Sequence, residues 1–416
     1  MKRTLLTGNG AAAWGARLAA VDYVPAFPIT PQTEIIETLA NWIDSGEMNG
    51  RLVTMESEHS MVTAAGSAAA TGVRVFSATS SQGLLYAMEM LYTVAGWRAP
   101  FVLTNVSRGL SSPITLEPDH NDILAARDSG FLQIHCASCQ EVLDSTLIAY
   151  RLAEDERVRL PVIVNLDGFY LSFTREPVEI PDADDARRFV GAFDAENVRF
   201  RASAPESQAV AVLGGGPYSY FRYETHLAAM NGLTVYDEIA AEFNECFGRK
   251  HEAVEAYCAD DADYLFVMMG SFATKAREAV DRLRDEGWKI GLVRPRLLRP
   301  LPAVRLQQLL CGSKGVAVID QNISMGMGGV LHSELGSVLY GRNDAPPVLA
   351  SFIGGLGGRD ISTEEFFEMA EVLRQAVANG QTPSPRLLYT QTELREVRKL
   401  QAVAQVERQQ LGESDD

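Results

Sequence analysis

A carboxylate, an arginine and a hydroxyl-rich turn stand out by the neighbours they keep. Glu58 lies in Met55-Glu56-Ser57-Glu58-His59, with Met55 and Met61 on either side. A carboxyl group taken out of water by such neighbours resists ionisation and can hold a proton near neutrality. The other reading is a carboxylate in the first turn of a helix at 57–60, where the helix dipole would lower the pKa instead. Glu56 and Glu58 share one face if the preceding strand continues. Arg108 follows the apolar run 101–106 and opens the turn-rich stretch Gly109 to Pro113. A guanidinium at a strand's C-terminal end can hold a carboxylate in a fork of two N–H bonds, the alternative being an ordinary surface arginine. Thr30 sits in the proline-stiffened Phe27-Pro28-Ile29-Thr30-Pro31, and Ser81 and Gly83 in Ala78-Thr79-Ser80-Ser81-Gln82-Gly83. Asp119-His120-Asn121-Asp122 has the residue types of a metal or acid–base cluster, although caps and turns account for it better.

Each of these residues falls where a strand-like run hands over to a helix-like one. Runs 20–26, 51–55, 73–78, 101–106 and 160–166 read as strands, and 32–42, 60–70, 83–95 and 140–151 as helices. That alternation predicts an α/β fold with a parallel sheet and helices on both faces over residues 1–175. Residues 176–262 read as an extension and linker, with helices at 223–230 and 233–247 and irregular connections at Glu176-Pro177 and Gly214-Gly215-Gly216-Pro217. The alternation resumes at Tyr264, predicting a smaller α/β domain over 263–378. Its strands are 264–269, 289–294, 315–319 and 348–353, and its helices 274–286, 301–310 and 330–339. The tail, 379–416, reads as a helix with Leu394, Val397, Leu400, Val403 and Val406 at three-residue steps. Such a stripe docks on a partner subunit or belongs to a solvated terminal helix.

Composition removes several function classes. The formal charge of −17 lacks the basic stripe that nucleic-acid binding needs and disfavours an acidic protein partner. Hydrophobic residues make up 46%, mean hydropathy is −0.04 and no apolar run of membrane-spanning length occurs, so no membrane association is expected. The N-terminus has no signal-peptide pattern, and the expected location is cytoplasmic. Five scattered cysteines fit reduced thiols. Cys136 and Cys139 have CxxC spacing, but no second pair completes a metal shell, so no metal is assigned to this chain. Gly8-Asn9-Gly10-Ala11-Ala12-Ala13 has the look of a dinucleotide fingerprint without its preceding long strand or its acidic partner. Close packing at a helix N-terminus explains it better. No P-loop and no GxSxG elbow is present. Asp167-Gly168 begins a diphosphate–magnesium motif whose completing asparagine is missing.

Taken in order, the motifs resemble the α subunit of the thiamine-diphosphate-dependent 2-oxoacid:ferredoxin oxidoreductases of the pyruvate synthase type. The first set is FPITP at 27–31, ESEHS at 56–60, ATSSQGL at 78–84, SRGLSSP at 107–113 and DHND at 119–122. RDSGF at 127–131, QEVLD at 140–144, LPVIVNLDGF at 160–169 and FRYETH at 221–226 continue the series. MGS at 269–271, GLVRPRLLRPLP at 291–302 and GGLGGRD at 354–360 complete it. The resemblance implies a pyrimidine-binding domain followed by a transketolase C-terminal-like domain. It also implies coenzyme A-dependent oxidative decarboxylation of a 2-oxo acid to acyl-CoA and CO2. Glu58 matches the glutamate that bonds the cofactor's aminopyrimidine, Ser81 and Gly83 the turn beside that ring, and Thr30 and Arg108 the positions that receive the substrate carboxylate. The implied partners are a β subunit holding the cofactor's diphosphate and Mg2+, a γ subunit and a δ subunit carrying [4Fe-4S] clusters. Electrons leave through ferredoxin or an NAD-reducing flavoprotein subunit.

One departure bears on the substrate. Where pyruvate-type relatives often carry a tryptophan, this chain has Ile114-Thr115-Leu116-Glu117-Pro118. A smaller wall favours a bulky or aromatic acid such as phenylglyoxylate, with pyruvate a close second. Two other functions compete: a non-catalytic assembly subunit using the acidic surface and the tail, and a stand-alone NAD-dependent dehydrogenase using Gly8 to Ala13.

Overall fold

The computed structural model describes residues 2–193, 200–207 and 209–412. Positions 194–199 and 208 of the extension and the last four of the tail lie outside the described residues. The first part runs β1 (Lys2–Leu6), α1 (Gly8–Leu18), β2 (Tyr23–Ala26), α2 (Thr33–Asp44), β3 (Arg51–Thr54) and α3 (Glu58–Ala69). Next come β4 (Phe76–Thr79), α4 (Gln82–Tyr86), α5 (Met88–Gly96), β5 (Val102–Ser107), α6 (Asn121–Ala125) and β6 (Leu132–His135). The part ends with α7 (Cys139–Glu154), β7 (Val162–Asp167), β8 (Glu176–Ile180), α8 (Ala183–Val190) and α9 (Gly215–Phe247). β9 (Val254–Tyr257), β10 (Tyr264–Met268), α10 (Ala273–Asp285), β11 (Ile290–Pro295), β12 (Leu297–Arg299) and α11 (Ala303–Leu310) follow. The chain closes with β13 (Gly315–Asp320), α12 (Val330–Leu339), β14 (Leu349–Ile353), α13 (Thr363–Asn379), β15 (Arg386–Leu387) and α14 (Gln391–Gly412).

The first sheet has the order β12-β6-β7-β5-β4, and a parallel pair, β2 with β3, continues it through a parallel bridge from Tyr23 to Val75. β5 and β7 are buried along their whole length, as strands covered by helices on both faces must be. From β2 the chain steps outward to β3 and then returns to β4 on the opposite side. That reversal is a topological switch point, where open parallel sheets leave a crevice beyond the strand C-termini. The second sheet, β15-β14-β13-β10-β11-β9, has its own reversal between β10 and β13. There the crevice is filled by the segment after β5. His120 donates its backbone N–H to the Gln321 carbonyl at 2.8 Å, and Gly358 donates to the Pro118 carbonyl at 2.7 Å.

Two strands cross between the bodies. β12 leaves the second body and pairs antiparallel with β6 of the first, while β9, from the stretch read as a linker, pairs antiparallel with β11. Arg294, fully buried, binds Glu141 of α7 at 2.6 Å and also Glu255 of β9. Burial alone would raise the Glu141 carboxyl, but Arg294 and Arg296 hold it well below the ordinary range. An ion pair this deep needs both partners, because removing one strands a charge away from water.

Several elements differ from the sequence reading. Glu176-Pro177, expected as an irregular connection, begins β8, which pairs antiparallel with β1. The helices expected at 223–230 and 233–247 are one, α9, and Gly214–Gly216 form its start instead of an irregular connection. Gly232 does not interrupt the helix. A Cβ there would stand 3.3 Å from Leu132 Cδ1, so the glycine serves close packing on β6. The helix expected at 83–95 divides at Ala87 into α4 and α5. In α14, Val397, Leu400, Val403 and Val406 are exposed, and steps of three residues turn each position back by about 60°, so the five do not form a straight stripe.

Candidate active site

Glu58 is the first residue of α3, with Ser57 as its N-cap accepting the N–H of Ser60. The strand does not continue to Glu58, which corrects the shared-face reading. β3 stops at Thr54, and Glu56 is exposed, accepting from the Ser60 hydroxyl at 2.8 Å. A serine cap followed by an acid in the first turn is what ends the strand and begins the helix. The position is therefore that of the helix-terminus reading, yet the carboxyl's pKa is raised. Burial raises it, and the bond to its own backbone N–H opposes burial without cancelling it. The side chain lies against α4, where Gly83 leaves it room. A Cβ on Gly83 would stand 2.5 Å from Glu58 Oε1 and 2.5 Å from Thr79 Oγ1. The Thr79 and Ser80 hydroxyls are buried here without a hydrogen-bond partner.

Arg108 lies at the C-terminal end of β5 and is 7% exposed, which rules out the surface reading. Its Nη1 donates to the Thr30 carbonyl at 2.7 Å and its Nη2 to Gln82 Oε1 at 2.5 Å. Burial lowers its pKa, opposed by Asp122. The Thr30 side chain is exposed, so the structure joins Thr30 to Arg108 through the threonine backbone. Ser81 is fully buried, with φ +50° and ψ −120°, a conformation an L-residue adopts only when its surroundings enforce it. Its N–H donates to Asp122 Oδ2 at 3.0 Å and its hydroxyl to the Gly109 carbonyl at 2.9 Å. Thr30, Glu58, Ser81 and Arg108 thus follow β2, β3, β4 and β5, whose C-terminal ends frame the first switch point.

Asp122 is the residue that sequence reasoning undervalued. Fully buried, it also accepts the Arg108 N–H at 3.3 Å, Asn105 Nδ2 at 3.1 Å, the Ser107 hydroxyl at 2.6 Å and the Ile123 N–H at 2.7 Å. Burial raises its pKa against the pull of these donors. One carboxylate therefore ties the turn carrying Ser81 to the strand end carrying Arg108. Asn9, inside the glycine motif, donates to the Pro31 carbonyl at 2.8 Å, and Gln32 to the Phe27 carbonyl at 2.9 Å, fixing the turn of Thr30. A Cβ on Gly8 would meet the Leu171 carbonyl at 2.6 Å, so the motif serves close packing.

Two residues before Asp122, His120 binds Asp167 Oδ1 at 2.7 Å, and the Ser271 hydroxyl binds the same aspartate's Oδ2 at 2.6 Å. Burial would lower the histidine pKa, but Asp167 raises it above the ordinary value, while Asp167 itself is held low against burial by His120 and Ser271. Asp167 is thus committed to an internal pair. Cys136 and Cys139 are buried free thiols, and burial pushes Cys136 up to about 12. No described helix is long and apolar enough to cross a membrane.

The family model for pyruvate flavodoxin/ferredoxin oxidoreductase, thiamine diphosphate-binding, matches residues 14–241, and that for pyruvate:ferredoxin oxidoreductase core domain II matches 262–366. Pyruvate synthase subunit PorA of Pyrococcus abyssi is 38% identical over 383 residues, covering 92% of this chain and 96% of that one. The PorA of Methanocaldococcus jannaschii is 41% identical over 366 residues, covering 87% and 92%. Ketoisovalerate oxidoreductase subunit VorA of Pyrococcus abyssi is 37% identical over 380 residues, covering 91% and 95%. Among solved structures, 2-oxoglutarate:ferredoxin oxidoreductase from Magnetococcus marinus superposes with a TM-score of 0.69 at 20% identity. The match covers 90% of this chain and 65% of that chain, and at this identity it speaks to fold alone. A split-gene transketolase matches with a TM-score of 0.51 at 12% identity, covering 87% and 97%. The two bodies are therefore a thiamine-diphosphate-binding-fold domain and a transketolase C-terminal-like domain, and the chain belongs to the pyruvate:ferredoxin oxidoreductase family as an α subunit of the 2-oxoacid:ferredoxin oxidoreductase type.

Proposed function

We propose that this chain supplies the aminopyrimidine side of a shared thiamine diphosphate site, in which a 2-oxo acid is oxidatively decarboxylated to an acyl-CoA and CO2. The observation that carries the proposal is the Glu58 carboxyl, 5% exposed, raised in pKa by burial and given room by a glycine at the mouth of the switch-point crevice. The residues fit the cofactor. A proton-holding acid is available for a ring nitrogen, and two buried hydroxyls without partners, Thr79 and Ser80, lie on the same turn. When bound, thiamine diphosphate supplies the electron sink that lets a bond to a carbonyl carbon break. Glu58 holds a proton at the aminopyrimidine. Gly83 keeps a side chain out of the space the carboxyl needs. Arg108 and the Thr30 turn receive the substrate carboxylate and orient the acid, which raises the rate by fixing geometry.

Asp167 is committed to His120 and Ser271, so the diphosphate and its Mg2+ are assigned to a β subunit. Iron–sulfur clusters on a δ subunit, a γ subunit, and ferredoxin or an NAD-reducing flavoprotein subunit complete the assembly, with a cytoplasmic location. For the acid itself, the pyruvate synthase relatives at 38% and 41% identity favour pyruvate. The loop at 114–118, without a tryptophan and with Ile114 78% exposed, favours a larger acid such as phenylglyoxylate. Turnover of pyruvate, 2-ketoisovalerate and phenylglyoxylate by the assembled complex decides between them. In that complex Glu58→Gln is expected to lower kcat by about 100-fold or more, the scale of a lost general acid. Undiminished turnover would remove Glu58 from the chemistry.

A further inference from the structure

The surroundings of Arg108 hold its charge in an unusual state. Both guanidinium bonds go to neutral oxygens, the Thr30 carbonyl and Gln82 Oε1. Among the described residues the guanidinium makes no ion pair within 4.0 Å, and its buried Nε has no partner. Asp122 takes the Arg108 backbone N–H and four further donors, so it acts on the guanidinium through its charge at a distance and makes no hydrogen bond to it. Gln82 sits between the parts of the site. Its Oε1 accepts from Arg108 and lies 2.7 Å from the Ser81 hydroxyl, whose one hydrogen it shares with the Gly109 carbonyl, and its Nε2 donates to the Ser111 hydroxyl at 2.5 Å.

We propose that Gln82 is a positioning residue for Arg108: its amide oxygen fixes the guanidinium in the crevice and, being uncharged, leaves it without a direct ion pair and open to the carboxylate of a 2-oxo acid. The proposal rests on reading Arg108 as the holder of that carboxylate. An amide and a carboxylate of the same size both orient a guanidinium, but a carboxylate forms a charge-assisted fork that cancels the charge as well. Neutral acceptors are thus the arrangement that fixes geometry without competing with an anionic ligand.

Glutamate and methionine at position 82 separate orientation from charge, since glutamate keeps the acceptor and adds a charge while methionine keeps only the length. In the assembled complex, KM and kcat for pyruvate are measured together with calorimetric binding of oxamate, an unreactive isostere. Gln82→Glu is expected to raise the pyruvate KM and the oxamate Kd in parallel by roughly tenfold or more, as for a desolvated charge interaction, with the loss in kcat/KM carried mainly by KM. Gln82→Met is expected to weaken oxamate by a few-fold, less than glutamate does. If Gln82→Glu binds oxamate as well as the unsubstituted complex, or better than Gln82→Met does, Gln82 is only a structural tie and the proposal is overturned. Arg108→Met separates the two levels of the argument. Unchanged oxamate binding there refutes the reading of Arg108 itself, whereas weakened binding there with no effect of Gln82→Glu refutes the role of Gln82 alone.

Discussion

Adding one methyl group at Gly83 tests the geometry of the site without replacing a titratable group. The Cβ of Gly83→Ala would stand 2.5 Å from Glu58 Oε1, 2.5 Å from Thr79 Oγ1 and 3.0 Å from Glu58 Cδ. A relaxed carbon–oxygen contact is about 3.3 Å, so each oxygen must retreat by about 0.8 Å. Thr79 is fully buried in β4, between β5 and the β2–β3 pair, and has little room to move. The Glu58 side chain, at the start of a helix, is displaced on its own account, and the contact with Thr79 is relieved only by a shift of the α4 turn that carries residue 83. A shift of about 1 Å in a group that must meet a reacting atom costs on the order of 100-fold in rate. Folding stability is expected to fall as well, by about 1–3 kcal/mol, the usual cost of overpacking a buried site. Gly83 does not have a positive φ, and alanine in a helix is favoured over glycine by about 1 kcal/mol, which offsets part of the crowding. The assays are kcat of the assembled complex and the thermal midpoint of the chain. The expected pattern is a rate loss of about two orders of magnitude in a chain that still folds, with a lowered midpoint. An alanine variant that turns over within about threefold of the unsubstituted complex would show that Glu58 does not act from this position.

Asp122→Asn replaces an acceptor of five hydrogen bonds by a group that presents two donors of its own, so at least one buried donor loses its partner. The expected cost is about 1–3 kcal/mol for each stranded group, with a rise in the KM for the 2-oxo acid, checked by denaturant unfolding and steady-state kinetics. Asp320, 2% exposed at the end of β13, has a pKa that burial pushes up to about 7 from 3.8, against the N–H groups of Leu331 and His332. Because the folded state binds this proton more tightly than the unfolded chain does, the contribution is full below about pH 4 and lost as pH rises through about 7. At 1.36 kcal/mol per unit, the part lost between pH 5 and pH 8 is about 3 kcal/mol, and Asp320→Asn should remove that part of the difference in denaturant midpoints. An identical difference in both proteins would refute the assignment.

The strand–helix alternation was legible because both sheets are parallel and buried, which leaves continuous apolar runs separated by turn residues. Glycines deceived that reading in α9. In a sequence Gly214–Gly216 and Gly232 look like interruptions, but Gly232 lies inside a helix because Leu132 and Pro300 crowd its surface. For Glu58, sequence identified the residue and left the sign of its pKa shift open. The helix start that favours ionisation was visible in Ser57 and Ser60, whereas the burial that opposes it depends on α4 packing alongside, a contact made across the fold. Thr30 and Arg108 were each found as single residues, but not the backbone carbonyl that links them. Asp122 was passed over as a cap. Its actual role is set by Ser81, Asn105 and Arg108, which converge on it from two other strand ends, and no local spacing encodes that convergence.

The segment carrying Asp122 also explains why the second body matters to a site it does not frame. Residues 117–122 fill the switch-point crevice of the second sheet, while Asp122 at the end of the same segment holds Ser81 and Arg108 at the switch point of the first. His120, two residues earlier, is locked by Asp167, and Asp167 is completed by the N–H and hydroxyl of Ser271 from the second body. Gly270 makes this approach possible. It adopts a φ of +76°, and a Cβ there would stand 2.8 Å from the His120 ring. The crevice of the second sheet takes a loop, and Asp122 at the end of that loop accepts the Arg108 backbone N–H. The second body therefore helps to fix the segment that carries Asp122, whose carboxyl accepts the Ser81 and Arg108 N–H groups, so the backbone at the first switch point depends on contacts made in both bodies.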